Sequence, residues 1–270
     1  MGPDMTTTLA VANQKGGVAK TTSVASIGAA LVELGQTVLL VDLDPQSCLT
    51  FSLGIDPEDL ELSVHHVLTK GLAPSEVILP TSDGPDLLPA TIELARAEAD
   101  LLTRTGREHV IKSALDDLAE AGQSYDWVLL DCPPSLGVLT VAALTAADGV
   151  LIPLQCETLS HRGVGQLLDT VHDVRRFTNR KLQIWGVLPT MYDGRTNHSR
   201  TVLETISATY DLDVVEPPIP KTIKFAEAPA AGRTILATSR SSKGAKAYRE
   251  VAATLLARAK AGKKGRAKKR

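Results

Sequence analysis

Residues 13–22 have the sequence NQKGGVAKTT, between an apolar run, LAVAN over 9–13, and a segment of helical spacing over 22–34. The predicted order is strand, glycine-bearing loop and helix. A buried strand that turns into a helix through glycines is how a βαβ unit begins. This stretch therefore predicts that the chain starts as an α/β protein with a parallel sheet.

Further apolar runs without alternation follow the first one, as is typical of parallel strands buried on both faces. They lie at 37–44, 86–90, 126–131, 149–155 and 184–190. Segments of helical spacing lie between or after them, at 22–34, 93–121, 160–178, 197–209 and 243–260. The pattern predicts an α/β fold with a doubly wound, mostly parallel sheet and helices on both faces. In such a sheet, ligands bind beyond the carboxyl ends of the strands.

The composition is that of a soluble globular protein, with 270 residues, 43% hydrophobic and 22% charged. Three cysteines, odd in number and far apart, argue against a disulfide framework and favour a reducing cytosol. A membrane-spanning helix would require a run of about 18 apolar residues, and the sequence contains none. We expect one domain over 7–260 with a flexible leader over 1–6.

The charge is unevenly distributed along the chain, whose formal net charge is −2. The last ten residues, AGKKGRAKKR, hold six basic and no acidic side chains. A basic, flexible tail over 261–270 on an acidic body indicates an arm for nucleic acid or anionic lipid, or a solubilising tail.

The glycine-bearing loop has the residues of a phosphate-binding loop in an altered spacing. The common pattern is Gly, four residues, Gly, Lys and Ser/Thr, but both of its glycines are absent here. The pair Gly16 and Gly17 still permits a tight path of inward-pointing N–H groups at a helix N-terminus. Lys20 can then reach the β- and γ-phosphates of a nucleotide, and Thr21 can offer its hydroxyl to Mg²⁺.

Carboxylates stand at the ends of two other apolar runs. Asp42 and Asp44 end LLVDLD, and Asp131 ends WVLLD. A carboxylate at the end of a buried strand is costly unless it meets a cation or hydrogen-bond donors. Together with a lysine-threonine loop, these residues predict a Mg²⁺ site for nucleotide chemistry.

These stretches resemble the ParA/MinD family of deviant Walker ATPases, and within it the ParA (Soj-type) partition ATPases. The likeness rests on NQKGGVAKTT, VLLVDLDPQ, DWVLLDCPPSLGVLT, AADGVLIPLQCE, GVLPTMYDGRTN, IPKTIKFAEAP and SKGAKAYRE, which cover nearly the whole chain. The resemblance implies a P-loop NTPase fold with a deviant Walker A loop. It also implies a slow, Mg²⁺-dependent ATPase that binds ATP and ADP in the cytoplasm, associated with the nucleoid.

The resemblance implies a role for each matching residue. The implied nucleotide-binding set is Lys15, Gly16, Gly17, Val18, Ala19, Lys20, Thr21 and Thr22. Among the implied catalytic residues, Lys15 reaches across a dimer to the phosphates of the partner subunit, beside the in-loop Lys20. Asp44 is the third, and it positions the attacking water. The implied metal site comprises Thr21, Asp44 and Asp131, and Gly137 lets the second switch loop move.

Two positions depart from the family pattern. Ala19 stands where the family often has glycine, so its methyl group is strained if the backbone there has positive φ. Thr190 stands where adenine-binding members often have asparagine, so adenine selection is predicted less firmly than phosphate binding.

The resemblance also implies partners. An ATP-bound homodimer binds double-stranded DNA without sequence preference, and a ParB-type centromere-binding protein stimulates hydrolysis and releases it. Seven basic residues over 221–250, against two acidic ones, are consistent with such salt-sensitive binding. We predict DNA contacts from Arg195, Arg200, Lys221, Lys224 and Lys246.

Two alternatives remain at this point. A MinD-like membrane-cycling or protein-cluster-positioning ATPase would share the same loop, but after Leu256 alanine is the only apolar residue type, so no stable membrane anchor is predicted. A reductase or cluster carrier would need paired cysteines, and Cys48, Cys132 and Cys156 have no such spacing.

Overall fold

The computed structural model describes residues 6–156, 160–194 and 197–267, which contain one seven-stranded sheet. Its strands are β1 (Thr7–Val11), β2 (Val38–Asp42), β3 (Leu79–Pro80), β4 (Asp86–Leu88), β5 (Trp127–Asp131), β6 (Gly149–Gln155) and β7 (Gln183–Thr190). Across the sheet they lie in the order β3-β4-β2-β5-β1-β6-β7, and only the β3–β4 pair is antiparallel. The predicted doubly wound, mostly parallel sheet is confirmed.

Helices connect the strands and cover the sheet. They are α1 (Lys20–Glu33), α2 (Cys48–Ser52), α3 (Val64–Lys70), α4 (Leu94–Leu102), α5 (Val110–Glu120), α6 (Val138–Ala146), α7 (Ser160–Phe177), α8 (Asn197–Tyr210), α9 (Lys224–Ala230), α10 (Ile235–Thr238) and α11 (Lys243–Ala267). Among the described residues, no helix is both long and apolar enough to cross a membrane.

The sheet has a hydrophobic core on each face, because successive strand side chains point to opposite sides. One core joins Leu9 and Leu40 to α1 and α11, where Tyr248 is fully buried. The other joins Ala10 and Leu39 to helices α3 to α8. Every residue of β1, β2 and β5 is buried, which explains why these strands lack sequence alternation.

Several boundaries differ from the sequence prediction. The helix expected over 93–121 is two helices, α4 and α5, separated by a turn in which Gly106 has φ +72°. The helix expected to end at 260 continues to Ala267, since alanine, lysine and arginine all favour helix. The predicted tail over 261–270 therefore begins inside a helix, and its last three residues lie outside the described part. Of the predicted leader only Thr6 is described, and its hydroxyl donates to the Tyr125 carbonyl.

Candidate functional site

The candidate site lies at the carboxyl edge of the sheet, where β1, β2 and β5 end side by side. Val11 pairs with Asp131, and Asp42 pairs with Asp131 from the opposite side. The loop 12–19 leaves β1 at this edge and enters α1 at Lys20. The strand register therefore brings together the loop and the carboxylates that the sequence predicted as one site.

The loop takes a left-handed backbone conformation at two positions. Gly17 has φ +72°, which glycine adopts without cost. Ala19 has φ 64° and ψ 34° immediately before α1. A Cβ atom in this region costs about 1 kcal/mol, so Ala19 is strained, as its departure from the family pattern predicted.

Three hydrogen bonds hold the loop in place. The Lys20 ammonium donates to the Lys15 carbonyl at 3.2 Å, and the Asn13 side-chain oxygen accepts from the Lys15 amide at 3.0 Å. The buried Thr190 hydroxyl donates to the Val18 carbonyl at 3.0 Å. Thr190, which the sequence linked to adenine selection, therefore supports the loop backbone.

Lys20 and Asp131 are two buried ionisable groups that influence each other's pKa. Burial lowers the pKa of Lys20, against the opposing effect of Asp131. The pKa of Asp131 is raised well above its usual range by burial and then by the nearby Asp42, while the Thr21 hydroxyl and Lys20 act in the opposite direction. Both carboxylate oxygens of Asp131 lack a hydrogen-bond partner in the described structure.

An unpartnered buried carboxylate destabilises the fold unless a cation or donor completes it. Its oxygens, together with the adjacent Thr21 hydroxyl, are hard ligands of the kind that Mg²⁺ prefers. The residues present therefore fit a magnesium ion at this position, either bound directly or through water.

Asp42 has a structural role, unlike Asp131. Its carboxylate accepts hydrogen bonds from the Thr50 amide at 2.9 Å, the Thr50 hydroxyl at 2.7 Å and the Asp44 amide at 3.1 Å. Complete burial raises the pKa of Asp42 to about 6 despite these donors. The Thr50 hydroxyl accepts in turn from the Ala90 amide. Asp42 therefore ties the segment after β2 to α2 and, through Thr50, to the segment after β4.

Asp44 lies two residues after Asp42, in the segment that connects β2 to α2. It is half-buried, and its carboxylate accepts from the Gln46 amide at 3.0 Å. Its carbonyl accepts from the amide of Ser47, which has φ 54°. This tight turn positions Asp44, which lines a cavity in front of the loop.

A cavity of about 560 Å³ opens in front of the loop. Seven residues predicted to bind nucleotide or metal line it, together with Lys221 of the predicted DNA-contacting set and residues of other segments. The lining residues are Gly16, Gly17, Ala19, Lys20, Thr21, Thr22, Asp44, Gln46, Cys48, Ser52, Pro134, Met191, Ile219, Lys221, Thr222, Phe225, Ala226 and Tyr248. Lys15, Val18 and Asp131 are not among the lining residues. The Val18 side chain is 1% exposed and belongs to the interior. Gly137 lies in the loop before α6, and a Cβ there would meet the Glu98 carboxylate at 2.8 Å.

Sequence reasoning missed the apolar side chains of this cavity. Met191, Ile219 and Phe225 line it together with Lys20 and Asp44. Phe225 packs edge-on against Tyr248, with ring centroids 5.7 Å apart. These residues come from three distant segments, so no local spacing marks them, although IPKTIKFAEAP was one of the family stretches. The cavity therefore combines lysine, threonine and carboxylate side chains with apolar side chains of a kind suited to a flat ring.

Four of the five predicted DNA-contacting residues lie in the part of the chain that the structure describes. Lys221, Lys224 and Lys246 are exposed, and Lys221 also lines the cavity mouth. Arg200 is exposed on α8. Arg195 lies outside the described residues.

Two of the other basic residues over 221–250 are engaged in ion pairs. Arg233 pairs with Asp83, whose side chain is 3% exposed. Arg249 forms a two-pronged pair with Glu33, at 2.5 and 2.9 Å. The number of basic residues over 221–250 is therefore larger than the number of positive charges available to a partner.

Known proteins similar to this chain match it over most of its length. A family model described as an AAA domain matches residues 6–184. The sporulation initiation inhibitor protein Soj of Bacillus subtilis is 42% identical over 90% of this chain and 96% of its own. The chromosome-partitioning ATPase Soj of Thermus thermophilus is 43% identical over 93% of this chain and 95% of its own.

A solved structure shares a higher sequence identity with this chain than the Soj proteins do, and it is described by a different activity. It is described as cobyrinic acid a,c-diamide synthase from Mycobacterium smegmatis with bound ADP and magnesium. It is 56% identical, covers 96% of this chain and 97% of its own, and has a TM-score of 0.85. A further structure of that protein holds an ATP analogue and magnesium.

Proposed function

Since this chain belongs to the ParA/MinD family of ATPases, with Soj-type partition proteins among its relatives, we propose that it is a partition ATPase. Its ATP-bound dimer binds double-stranded DNA non-specifically, and a ParB-type centromere-binding partner releases it by stimulating hydrolysis. The observation that carries the proposal is the buried Asp131 carboxylate, which has no hydrogen-bond partner in the described structure and is influenced by Lys20 and Thr21 at the start of α1. That arrangement is completed by a metal ion and a nucleotide phosphate.

The nucleotide occupies the cavity with its phosphates at the N-terminus of α1. Backbone N–H groups of the loop and the Lys20 ammonium bind the β- and γ-phosphates. The Thr21 hydroxyl and Asp131 hold Mg²⁺, which when bound neutralises charge on these phosphates. The Asp44 carboxylate, fixed by its turn, orients the water that attacks the γ-phosphate. The apolar side chains of Met191 and Phe225 accommodate the base.

Lys15 acts from the partner subunit. It is half-buried and precedes the two glycines at the front of the loop, outside the cavity lining of its own subunit. A lysine donated in trans stabilises charge that develops on the γ-phosphate, as an arginine finger does. Without that phosphate, two lysine-bearing loops repel each other, so dimerisation depends on ATP.

The DNA surface is formed by the exposed cations near the cavity mouth. Lys221, Lys224 and Lys246 are exposed and Arg200 lies on α8, whereas Arg233 and Arg249 serve internal ion pairs. Neutralisation of DNA phosphates by such cations gives affinity without base recognition. Association with the nucleoid follows from this binding. A MinD-like membrane cycle is the less favoured alternative, because the end of α11 offers charge but little apolar area.

Amide synthesis is a second candidate, since a 56% identical protein is described by that activity. Nitrogen transfer from glutamine needs an activated thiolate nucleophile. Burial raises the pKa of Cys48 and Cys132 and raises that of Cys156 to about 11. In the described residues no hydrogen bond joins a cysteine to a histidine, so the site favours ATP hydrolysis.

DNA binding measured across a salt series, with an ATP analogue, ADP or no nucleotide, tests the proposal. We expect binding that requires the ATP analogue and weakens steeply with salt. Binding that ignores nucleotide would assign DNA contact to the basic C-terminus alone. Liposome binding without DNA binding would favour the membrane cycle, and ATP turnover that requires cobyrinic acid and glutamine would favour amide synthesis.

A further inference from the structure

Asn13 connects the loop to the neighbouring strand through both ends of its side chain. Its amide nitrogen donates to the Pro153 carbonyl in β6 at 2.7 Å. Its oxygen accepts the Lys15 amide at 3.0 Å, which closes a turn over two residues. The side chain is only 3% exposed. In α7, Gly163 lies against this turn, and a Cβ there would be 3.4 Å from the Asn13 oxygen.

The Lys15 peptide is held at its nitrogen by Asn13 and at its carbonyl by Lys20. The second hydrogen bond conflicts with phosphate binding, because a γ-phosphate attracts the Lys20 ammonium far more strongly than a neutral carbonyl does. When Lys20 turns to the phosphate, Asn13 becomes the side chain that fixes this peptide.

The residues after Lys15 offer little restraint. Gly16 and Gly17 follow it, and neither would place a Cβ within 4 Å of another group. Glycine has the widest backbone freedom of any residue. The Lys15 peptide is therefore held more firmly on its Asn13 side than on its glycine side.

We propose that Asn13 is a positioning residue: it aligns the Lys15 peptide with β6 in the ATP-bound state and so directs Lys15 toward the partner subunit. This inference rests on the proposed function, in which Lys15 acts in trans. Asn13 is not among the residues that line the cavity. Its loss therefore weakens dimerisation more than it weakens nucleotide binding by one subunit.

The chain contains a matched control at the opposite edge of the sheet. Asn179 accepts the Lys181 amide at 3.2 Å and donates to the Ala147 carbonyl at 2.7 Å, in the same bridging pattern as Asn13. It follows α7 and precedes β7, at the amino ends of the strands. Asn179→Ala removes equivalent hydrogen bonds without touching the loop.

The test is a double-mutant cycle on dimer affinity, measured by sedimentation with Mg²⁺ and a non-hydrolysable ATP analogue. We expect Asn13→Ala to raise the dimer dissociation constant about tenfold, which corresponds to one or two hydrogen bonds. Added to Lys15→Ala, it should have no further effect, because it acts through Lys15. The ADP dissociation constant should change less than about twofold, and Asn179→Ala should leave dimer affinity unaltered.

Additive effects of Asn13→Ala and Lys15→Ala, or an equal loss in Asn179→Ala, would overturn the positioning role while leaving the proposed function intact. A wild-type protein that stays monomeric with the analogue would overturn both.

Asn13→Asp is a second variant for the same measurement, to be used if Asn13→Ala does not fold. Aspartate keeps the shape and the acceptor for Lys15 but sets an oxygen against the Pro153 carbonyl. We expect it to weaken the dimer at least as much as Asn13→Ala, and unchanged dimerisation would contradict the inference.

Discussion

The two ends of the same sheet are built in opposite ways. At the amino end, two carboxylates are paired: Asp126 accepts from both the amide and the hydroxyl of Thr37, and the Tyr125 hydroxyl donates to Asp86. At the carboxyl end, Asp131 has no partner for either oxygen and Ala19 holds a left-handed backbone.

This difference shows that features which lower the stability of the fold lie at the carboxyl end of the sheet. Strain and unsatisfied buried groups persist only where something else compensates for them, and they cluster at ligand sites. In the proposed function, a phosphate, a metal ion and a second subunit complete the carboxyl end, whereas the carboxylates Asp86 and Asp126 at the amino end already have partners within the chain. Each prediction below pairs a change at one end with a matched change at the other.

The largest effect is expected from Asp131. Asp131→Asn should reduce Mg²⁺-dependent ATP hydrolysis about 100-fold, because the metal loses its anionic support. It should also raise the free energy of unfolding of the nucleotide-free protein by about 1 kcal/mol, since an unpaired buried carboxylate is removed. Phosphate release and urea unfolding at pH 8 measure the two quantities.

Asp126→Ala is the matched change at the amino end. It should lower the free energy of unfolding by about 1 kcal/mol through lost hydrogen bonds and leave ATP turnover unaffected. The same sign of stability change in both variants would break the comparison.

An intermediate effect is expected from exposed lysines at the two ends. Lys224→Ala should weaken ATP-dependent DNA binding several-fold and reduce the magnitude of its salt slope by about 1, because one phosphate contact is lost. Lys181→Ala, an equally exposed position before β7, should change neither. Fluorescence anisotropy with a labelled duplex at several salt concentrations separates the two, and equal slopes in both variants would place the DNA elsewhere.

The smallest effect is expected from the loop backbone. Ala19→Gly should raise the free energy of unfolding by about 1 kcal/mol, since glycine adopts φ 64° without strain. Gly122→Ala is the reverse change at the amino end, where φ is +80° and space is open, and it should lower that free energy by a similar amount. Thermal or chemical unfolding measures both, and an unchanged turnover in Ala19→Gly would show that the methyl group is silent in catalysis.

The sequence was informative where chemistry and local pattern coincide. The buried strands, the loop before α1 and the aspartates at the strand ends were all predicted from contiguous residues. The doubly wound sheet followed because fully buried parallel strands leave unbroken apolar runs.

Other features depend on contacts between distant segments, which no local pattern records. The different environments of Asp42 and Asp131 arise because Thr50 reaches one carboxylate and no donor in the described structure reaches the other. The ion pair between Arg233 and Asp83 joins positions 150 residues apart. The break at Gly106 divided a helical pattern that periodicity alone treated as continuous.

Sedimentation velocity of the wild-type protein and Lys15→Ala, with Mg²⁺ and either ADP or an ATP analogue, tests the central claim most directly. The account predicts a wild-type monomer with ADP and a dimer with the analogue. It predicts that Lys15→Ala binds both nucleotides but dimerises only at protein concentrations far above those at which the wild type is dimeric. A Lys15→Ala protein that dimerises like the wild type would contradict the claim that two subunits share the nucleotide.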